Sequence, residues 1–281
     1  MSARNDLLSN ADFTRLRTLI YAESGINLNH DKKTMLEMRL RRRLHGLGLS
    51  SCAEYCDYVF TPGGRENEIV HLIDAVTTNK TDFFREAAHF DYLVSQGLPE
   101  LGERNGARRR SLVWSAGCST GEEPYTLAMV LSEYAESHPG FQFQILATDI
   151  STAVLDKARM GIFKAETVAP VPPGLRRKYL MRSRDPGSCL VRVVPELRAL
   201  LDFRRVNFMD ADYGLPAAPE IIFCRNVIIY FDRPTQVRLL ERLVRHLAPG
   251  GYFFAGHSES LQGMDLPLTL VAPSVYRKAG G

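Results

Sequence analysis

The run from Val113 to Tyr125, V-W-S-A-G-C-S-T-G-E-E-P-Y, couples an apolar strand, a glycine-bounded turn and an acidic helix start. Leu112, Val113 and Trp114 read as a buried parallel strand, and Gly117 and Gly121 let the backbone pass close to a ligand. Glu122 and Glu123 then enter a helix, where the dipole favours acidic groups. One βα unit on, Phe141 to Thr148 alternates into a second strand ending at Asp149, whose carboxylate can accept both hydroxyls of a ribose. Together these groups point to a nucleoside cofactor. A dinucleotide fits poorly, because Ser119 stands where G-x-G-x-x-G needs its second glycine for pyrophosphate to approach. The plain alternative is that any doubly wound protein has glycines at its first βα turn and an acid ending its second strand.

From Leu112 onward strand and helix patterns alternate, which predicts a parallel sheet with helices on both faces. Residues 1–76 read instead as short amphipathic helices. The first carries Phe13, Leu16, Leu19 and Ile20 and stops near Gly25; the next carries Leu36, Leu40 and Leu44 on one face. On an adjoining face Lys32, Arg39, Arg42 and Arg43 line up as a basic stripe, for which a solvated helix face is the bland alternative. Ser51 with Glu54 forms a capping-box pattern for a third helix, and Ile69, Ile73 and Val76 mark a fourth that leads into T-T-N-K-T-D-F-F-R-E at 77–86. A helix around Phe90, Leu93 and Val94 should end before an exposed connection from Gly102 to Arg110. The alternation breaks over 160–206, where Pro170, Pro172, Pro173, Pro186 and Gly187 punctuate short strands such as Leu190–Val194 and Leu201–Arg205; an inserted antiparallel sheet is expected there. Ile221–Cys224 and Tyr252–Ala255 read as buried strands, Asp232 as the cap of a helix toward His246, and Ser274–Arg277 as a last edge strand.

A chain of 281 residues is long enough for two domains, and its net charge of +3 does not by itself imply nucleic acid. No apolar run approaches the roughly 18 residues that span a bilayer. The opening M-S-A-R-N-D lacks the apolar core of a signal peptide, so a cytoplasmic protein is expected. Cys52, Cys56, Cys118, Cys189 and Cys224 include only one close pair, which suggests reduced structural thiols, and the histidines show no metal spacing. Gly256–Ser260, G-H-S-E-S, looks like the hydrolase elbow G-x-S-x-G but lacks its last glycine and any later histidine. His257 and Ser258 are expected to help close a pocket.

Five blocks in order carry a resemblance: Thr77–Glu86, Ser115–Tyr125, Ala147–Ile150 (A-T-D-I), Phe223–Phe231 (F-C-R-N-V-I-I-Y-F) and Gly250–Leu261 (G-G-Y-F-F-A-G-H-S-E-S-L). With them the chain resembles the S-adenosylmethionine-dependent chemotaxis receptor glutamate O-methyltransferases of the CheR type. The resemblance implies a Rossmann-like class I methyltransferase domain (111–281, α/β) with an inserted small antiparallel β-subdomain (160–206). An all-α receptor-docking domain (1–76) would precede it, joined by a segment at 77–110 that contributes to the cofactor site. It places Asn79, Thr81, Arg85, Asp149, Asn207, Phe208, Arg225 and Asn226 at the cofactor, together with Glu123 or its neighbour Glu122, and Arg85, Arg225 and Tyr230 at the reaction.

In that family the acceptor is a receptor glutamate and the by-product is S-adenosylhomocysteine. Such an acceptor, with a pKa near about 4.3, needs no base, so alignment and desolvation are the tasks, and Tyr230 is the expected neutral orienting donor. Lys32, Arg39, Arg42 and Arg43 would dock an acidic receptor helix bundle, while the inserted sheet, at Leu190–Val194, could add a receptor's C-terminal tail as a strand. The implied protein is a monomer, recruited to membrane receptor arrays without inserting into the membrane and without binding nucleic acid. The competing readings are a nucleic-acid methyltransferase, weakened by the absence of the Asn/Asp-Pro-Pro-aromatic motif, and a non-catalytic cofactor-sensing adaptor.

Overall fold

The computed structural model describes residues 7–105, 110–185 and 187–280. The opening six residues, Gly106–Arg109 within the expected connection, and Pro186 lie outside them.

Four helices come first: α1 (Asn10–Ser24), α2 (Lys33–Leu47), α3 (Cys52–Val59) and α4 (Pro62–Val76). Their ends follow local chemistry. Ser9, Ser51 and Thr61 each accept an N–H of the first turn, and Gly25 and Gly48 close α1 and α2 in the left-handed conformation. Glu54 reaches back as expected, but to the Ser50 N–H at 2.8 Å. Phe13, Leu16, Ile20, Leu36, Leu40, Tyr55, Leu72 and Ile73 form a core separate from that of the sheet. Inside it Glu68, 1% exposed, accepts two bonds from Arg43 at 2.8 and 2.7 Å and one from the Tyr55 hydroxyl at 3.1 Å.

After the 77–87 segment, α5 (Ala88–Tyr92) passes through a π-turn at Leu93–Gly97 into α6 (Leu98–Asn105). Gly102 is therefore helical, not the start of a loop: its Cα faces open space, so the missing side chain costs no packing.

The remaining helices are α7 (Glu122–Ser137), α8 (Thr152–Met160), α9 (Pro173–Tyr179), α10 (Pro195–Arg198) and α11 (Arg233–His246). The strands are β1 (Arg110–Ala116), β2 (Gln142–Asp149), β3 (Ile162–Lys164), β4 (Leu180–Arg182), β5 (Leu190–Val193), β6 (Leu201–Arg205), β7 (Ile221–Cys224), β8 (Tyr252–Ala255), β9 (Leu268–Ala272) and β10 (Val275–Lys278). Seven of them make one sheet in the order β6-β2-β1-β7-β8-β10-β9, parallel except at β10. Its central strands alternate between two cores. Val113, Ile145 and Phe223 face α5, α6 and α7, whereas Leu112, Trp114, Leu146 and Ile222 face α11.

Three expectations are corrected here. Leu201–Arg205 belongs to the large sheet, parallel to β2; as an edge strand of intermediate burial it resembles in sequence the short strands of the insertion. The inserted sheet is β3-β5-β4, with Leu190–Val193 at its centre, so its open edges are β3 and β4. Likewise β10 is interior and β9, unrecognised in the sequence, is the edge. Among the described residues no helix is long and apolar enough to cross a membrane, and no disulfide joins the five cysteines, four of which are buried.

Removing Glu68 strands a guanidinium and a buried hydroxyl. Glu68→Ala should destabilise the protein by about 2–4 kcal/mol, below the figure for a fully buried pair because Arg43 is partly solvated. Urea unfolding measures this, and a change within about 0.5 kcal/mol would contradict it.

Candidate functional site

The strand order reverses between β1 and β7, and at the carboxyl ends of β1, β2 and β7 the sheet opens a cleft, as expected at a topological switch point. Its walls include Asn79, Thr81, Arg85, Gly117, Ser119, Glu123, Asp149, Asn207, Phe208, Arg225, Asn226 and Tyr230. All ten residues expected at a cofactor or reaction centre from the sequence therefore line one cavity.

Asp149, buried at the end of β2, accepts the Ser119 N–H at 2.9 Å on one oxygen and the Ser151 N–H at 2.9 Å on the other. Burial raises its pKa while backbone N–H groups of Ser151, Ser119 and Ile150 hold it down. Gly117 is required by close approach as well as by its φ of 89°: a Cβ there would stand 2.4 Å from the Val227 side chain.

The geometry decides between the adjacent acids. Glu122 turns away to Thr120 Oγ1 at 2.6 Å, and burial raises its pKa. Glu123 faces the cleft, accepting from Ser115 Oγ and from Arg225 Nε, each at 2.7 Å.

Arg225 is buried beside the stacked Phe90 and Phe223 rings and also donates to the Arg85 carbonyl at 2.7 Å. Beyond it Glu86 lies 3.6 Å away. His89 Nδ1 lies 3.1 Å from Arg225 Nη1; since a guanidinium only donates, Nδ1 is the acceptor. Burial, and then Arg225, lower the pKa of His89 to about 4, so the ring is neutral. Glu86, His89 and His257 bring ligand-type atoms within 4.8 Å of one another, a grouping invisible in the sequence spacing, but the Arg225 cation already sits against the first two.

Four of the five non-glycine residues with positive φ among those described lie here: Phe84 (55°), Glu86 (56°), Ser119 (49°) and Asn226 (59°). Each costs of order 1–3 kcal/mol and persists only where surrounding bonds enforce it.

Other placements differ from a simple contact role. The Asn207 amide is engaged at both ends, donating to the Glu23 carbonyl at 2.6 Å and accepting from Met209 N at 3.0 Å, and Phe208 packs against Tyr213. Both still line the cleft. His257 and Ser258 are exposed and do not line it; the buried polar side chain of that block is Glu259. Within the basic stripe, Arg39 donates to the Ala75, Val76 and Thr77 carbonyls at the end of α4, and Arg43 is the partner of Glu68. Only Lys32 and Arg42 of the four are exposed, so the stripe is not a continuous free surface. The sequence did not reveal Ser24 and Ile26, which follow from the first domain folding over the cleft; Asn27 N donates to the Tyr230 carbonyl at 2.9 Å.

Residues 11–77 match the family described as CheR methyltransferase, all-alpha domain, and residues 79–276 match CheR methyltransferase, SAM binding domain. Chemotaxis protein methyltransferase 2 of Pseudomonas aeruginosa is 42% identical over 269 residues, covering 95% of this chain and 93% of that protein. The Escherichia coli chemotaxis protein methyltransferase is 42% identical over 269 residues (96% and 91%), and that of Borreliella burgdorferi 38% over 270 residues (95% and 94%). S-adenosylmethionine is accordingly the cofactor.

Asp149→Ala and Arg85→Ala should each weaken S-adenosylmethionine binding by roughly 10- to 100-fold, the loss of about 1.5–3 kcal/mol of charged hydrogen bonding. Calorimetry on the folded variants reads it. Unchanged affinity for Asp149→Ala would remove the ribose assignment.

Proposed function

The chain belongs to the CheR methyltransferase family, and from that membership we propose that it methylates glutamate side chains of chemotaxis receptors, forming γ-methyl esters. The observation that carries this reading is Tyr230 standing in the same cleft as Arg85, Glu123 and Asp149. S-adenosylmethionine supplies an electrophilic methyl group on a positively charged sulfur. Asp149 would hold its ribose, Glu123 its ammonium and Arg85 its carboxylate, with Asn79, Thr81, Asn207, Phe208 and Asn226 completing the walls.

A glutamate acceptor is already ionised at neutral pH, so the site needs no general base. Its work is to align the acceptor and exclude water: two charges neutralise each other as the methyl moves, and a dry wall of Ile26, Val206, Phe208 and Phe231 favours that outcome. Arg225, held by Glu123, keeps its charge away from the acceptor, where a tight ion pair would stabilise the reactant instead. Tyr230 supplies a neutral hydroxyl to orient the acceptor.

Docking is assigned to the exposed side of α2, through Lys32 and Arg42, against an acidic receptor helix bundle, with the enzyme acting as a monomer at membrane-bound receptor arrays. Arg39 and Arg43 support that helix from within. A receptor's extended C-terminal tail would pair with an open edge of the small sheet, β3 or β4, as a tether.

Incubated with labelled S-adenosylmethionine and receptor-bearing membranes, the wild type should leave base-labile label on the receptor. Tyr230→Phe should slow that transfer roughly 10- to 100-fold with cofactor affinity nearly intact. Base-stable label would reject the ester, and a parallel fall in binding and rate would make Tyr230 structural.

Lys32→Glu with Arg42→Glu should raise the receptor KM several-fold at low salt without altering cofactor affinity, since like charges would then face the receptor. An unchanged KM would remove the docking assignment. Arg39→Glu is a poor substitute, because it uncaps α4 beside the cofactor.

A further inference from the structure

The Gly256–Ser260 motif was expected to close a pocket through His257 and Ser258, but both are exposed and do not line the cleft. Glu259 is turned into the protein instead. It is 4% exposed, and its carboxylate gathers three backbone N–H groups: Asn226 and Gly256 at 2.7 Å on Oε2, and Ile228 at 2.9 Å on Oε1. Two of these belong to the loop that follows β7 and carries Arg225, Asn226 and Tyr230.

The fold explains the meeting. Because β7 and β8 run parallel with Cys224 opposite Ala255, the loop leaving one strand and the turn leaving the other emerge side by side. Contact is close enough that a Cβ on Gly256 would lie 2.6 Å from Asn226 Nδ2 and 2.8 Å from Glu259 Oε2, so residue 256 must be glycine on grounds of space. Asn226 itself holds a left-handed φ of 59°, a conformation a non-glycine residue keeps only under restraint. Its N–H, bonded to Glu259, is that restraint from one side. Glu86 Oε1, accepting from Asn226 Nδ2 at 3.4 Å, is a looser one from the other.

We propose that Glu259 is a positioning residue for methyl transfer: it fixes the 226–230 backbone so that Tyr230 presents its hydroxyl at the reaction geometry, without touching cofactor or acceptor. The inference rests on the transferase reading above. A carboxylate suits the task because both its oxygens only accept. Glutamine would turn an NH₂ toward an N–H it must receive, replacing an attraction by a repulsion, and aspartate would fall one methylene short. Cofactor affinity rests chiefly on Glu123, Asp149 and Arg85, the charged groups held elsewhere by α7, β2 and the 77–86 segment, and less on the Asn226 wall.

The test uses the full-length chain carrying Glu259→Gln, with Gly256→Ala as an independent disturbance of the same contact that leaves the carboxylate in place. S-adenosylmethionine affinity and stoichiometry are measured by calorimetry, and receptor methylation is normalised to competent cofactor sites. Amide exchange of the 226–230 segment is followed in the cofactor-free protein. In both variants kcat per competent site should fall roughly 10- to 100-fold, with the cofactor dissociation constant within about threefold of wild type. Exchange of the Asn226 and Ile228 amides should accelerate at least about tenfold. A purely structural role would reduce the number of competent sites and leave kcat per site unchanged, and that result overturns the proposal. Wild-type exchange rates in both variants overturn it as well, independently of activity. A wild-type enzyme that forms no receptor ester would reject the transferase reading, and the exchange rates would then decide the clamp alone.

Discussion

The site is organised around one buried cation. Arg225 has almost no contact with solvent, and a guanidinium removed from water is tolerated only when carboxylates and carbonyls replace its hydration. Glu123 from the start of α7, Glu86 and the Arg85 carbonyl from the segment after α4 perform that replacement, beside the stacked rings of Phe90 and Phe223. Two separate stretches of chain must therefore converge on the end of β7. The same convergence aims Glu123 into the cleft, sets the backbone of Arg85 and leaves the neighbouring His89 uncharged.

The helical domain is bound into this arrangement, not appended to it. Asp74 of α4 accepts from the N–H and hydroxyl of Thr152 at 2.9 and 2.8 Å, capping α8 of the other domain. Asn207 grips the end of α1, and Tyr21 donates to Asp232 at 2.8 Å. Arg39 holds the carbonyls at 75–77, and Val76 and Thr77 are themselves cleft walls. A load on α2 is thus one side chain away from the cofactor. This is why the basic stripe divides, with two of its members facing outward and two holding the domain together.

Much of the architecture was legible in short stretches of sequence. Caps at Ser51 and Asp232, the buried strands Ile221–Cys224 and Tyr252–Ala255, and the Gly117-to-Glu123 turn are written locally, because capping, alternation and close backbone approach depend on residues a few positions apart. The family blocks also named the residues that line the cleft. Edge strands were misread. The sheet membership of Leu201–Arg205 and the place of β10 depend on which neighbour each strand finds, and hydrophobic alternation carries no information about partners.

The sequence by itself determined most of the elements, the class of cofactor and the chemical types present at the site, since these follow from local periodicity and from motifs whose residues do chemistry where they stand. Tertiary structure alone decided which groups are free to act. It turned Glu123 inward and Glu122 away, occupied Arg39 and Arg43 with carbonyls and Glu68, and brought Glu259 onto a loop more than thirty residues before it. The reason is that a charged side chain is claimed by whichever donors and acceptors the fold places within about 3 Å, and that distance has no fixed relation to separation along the chain.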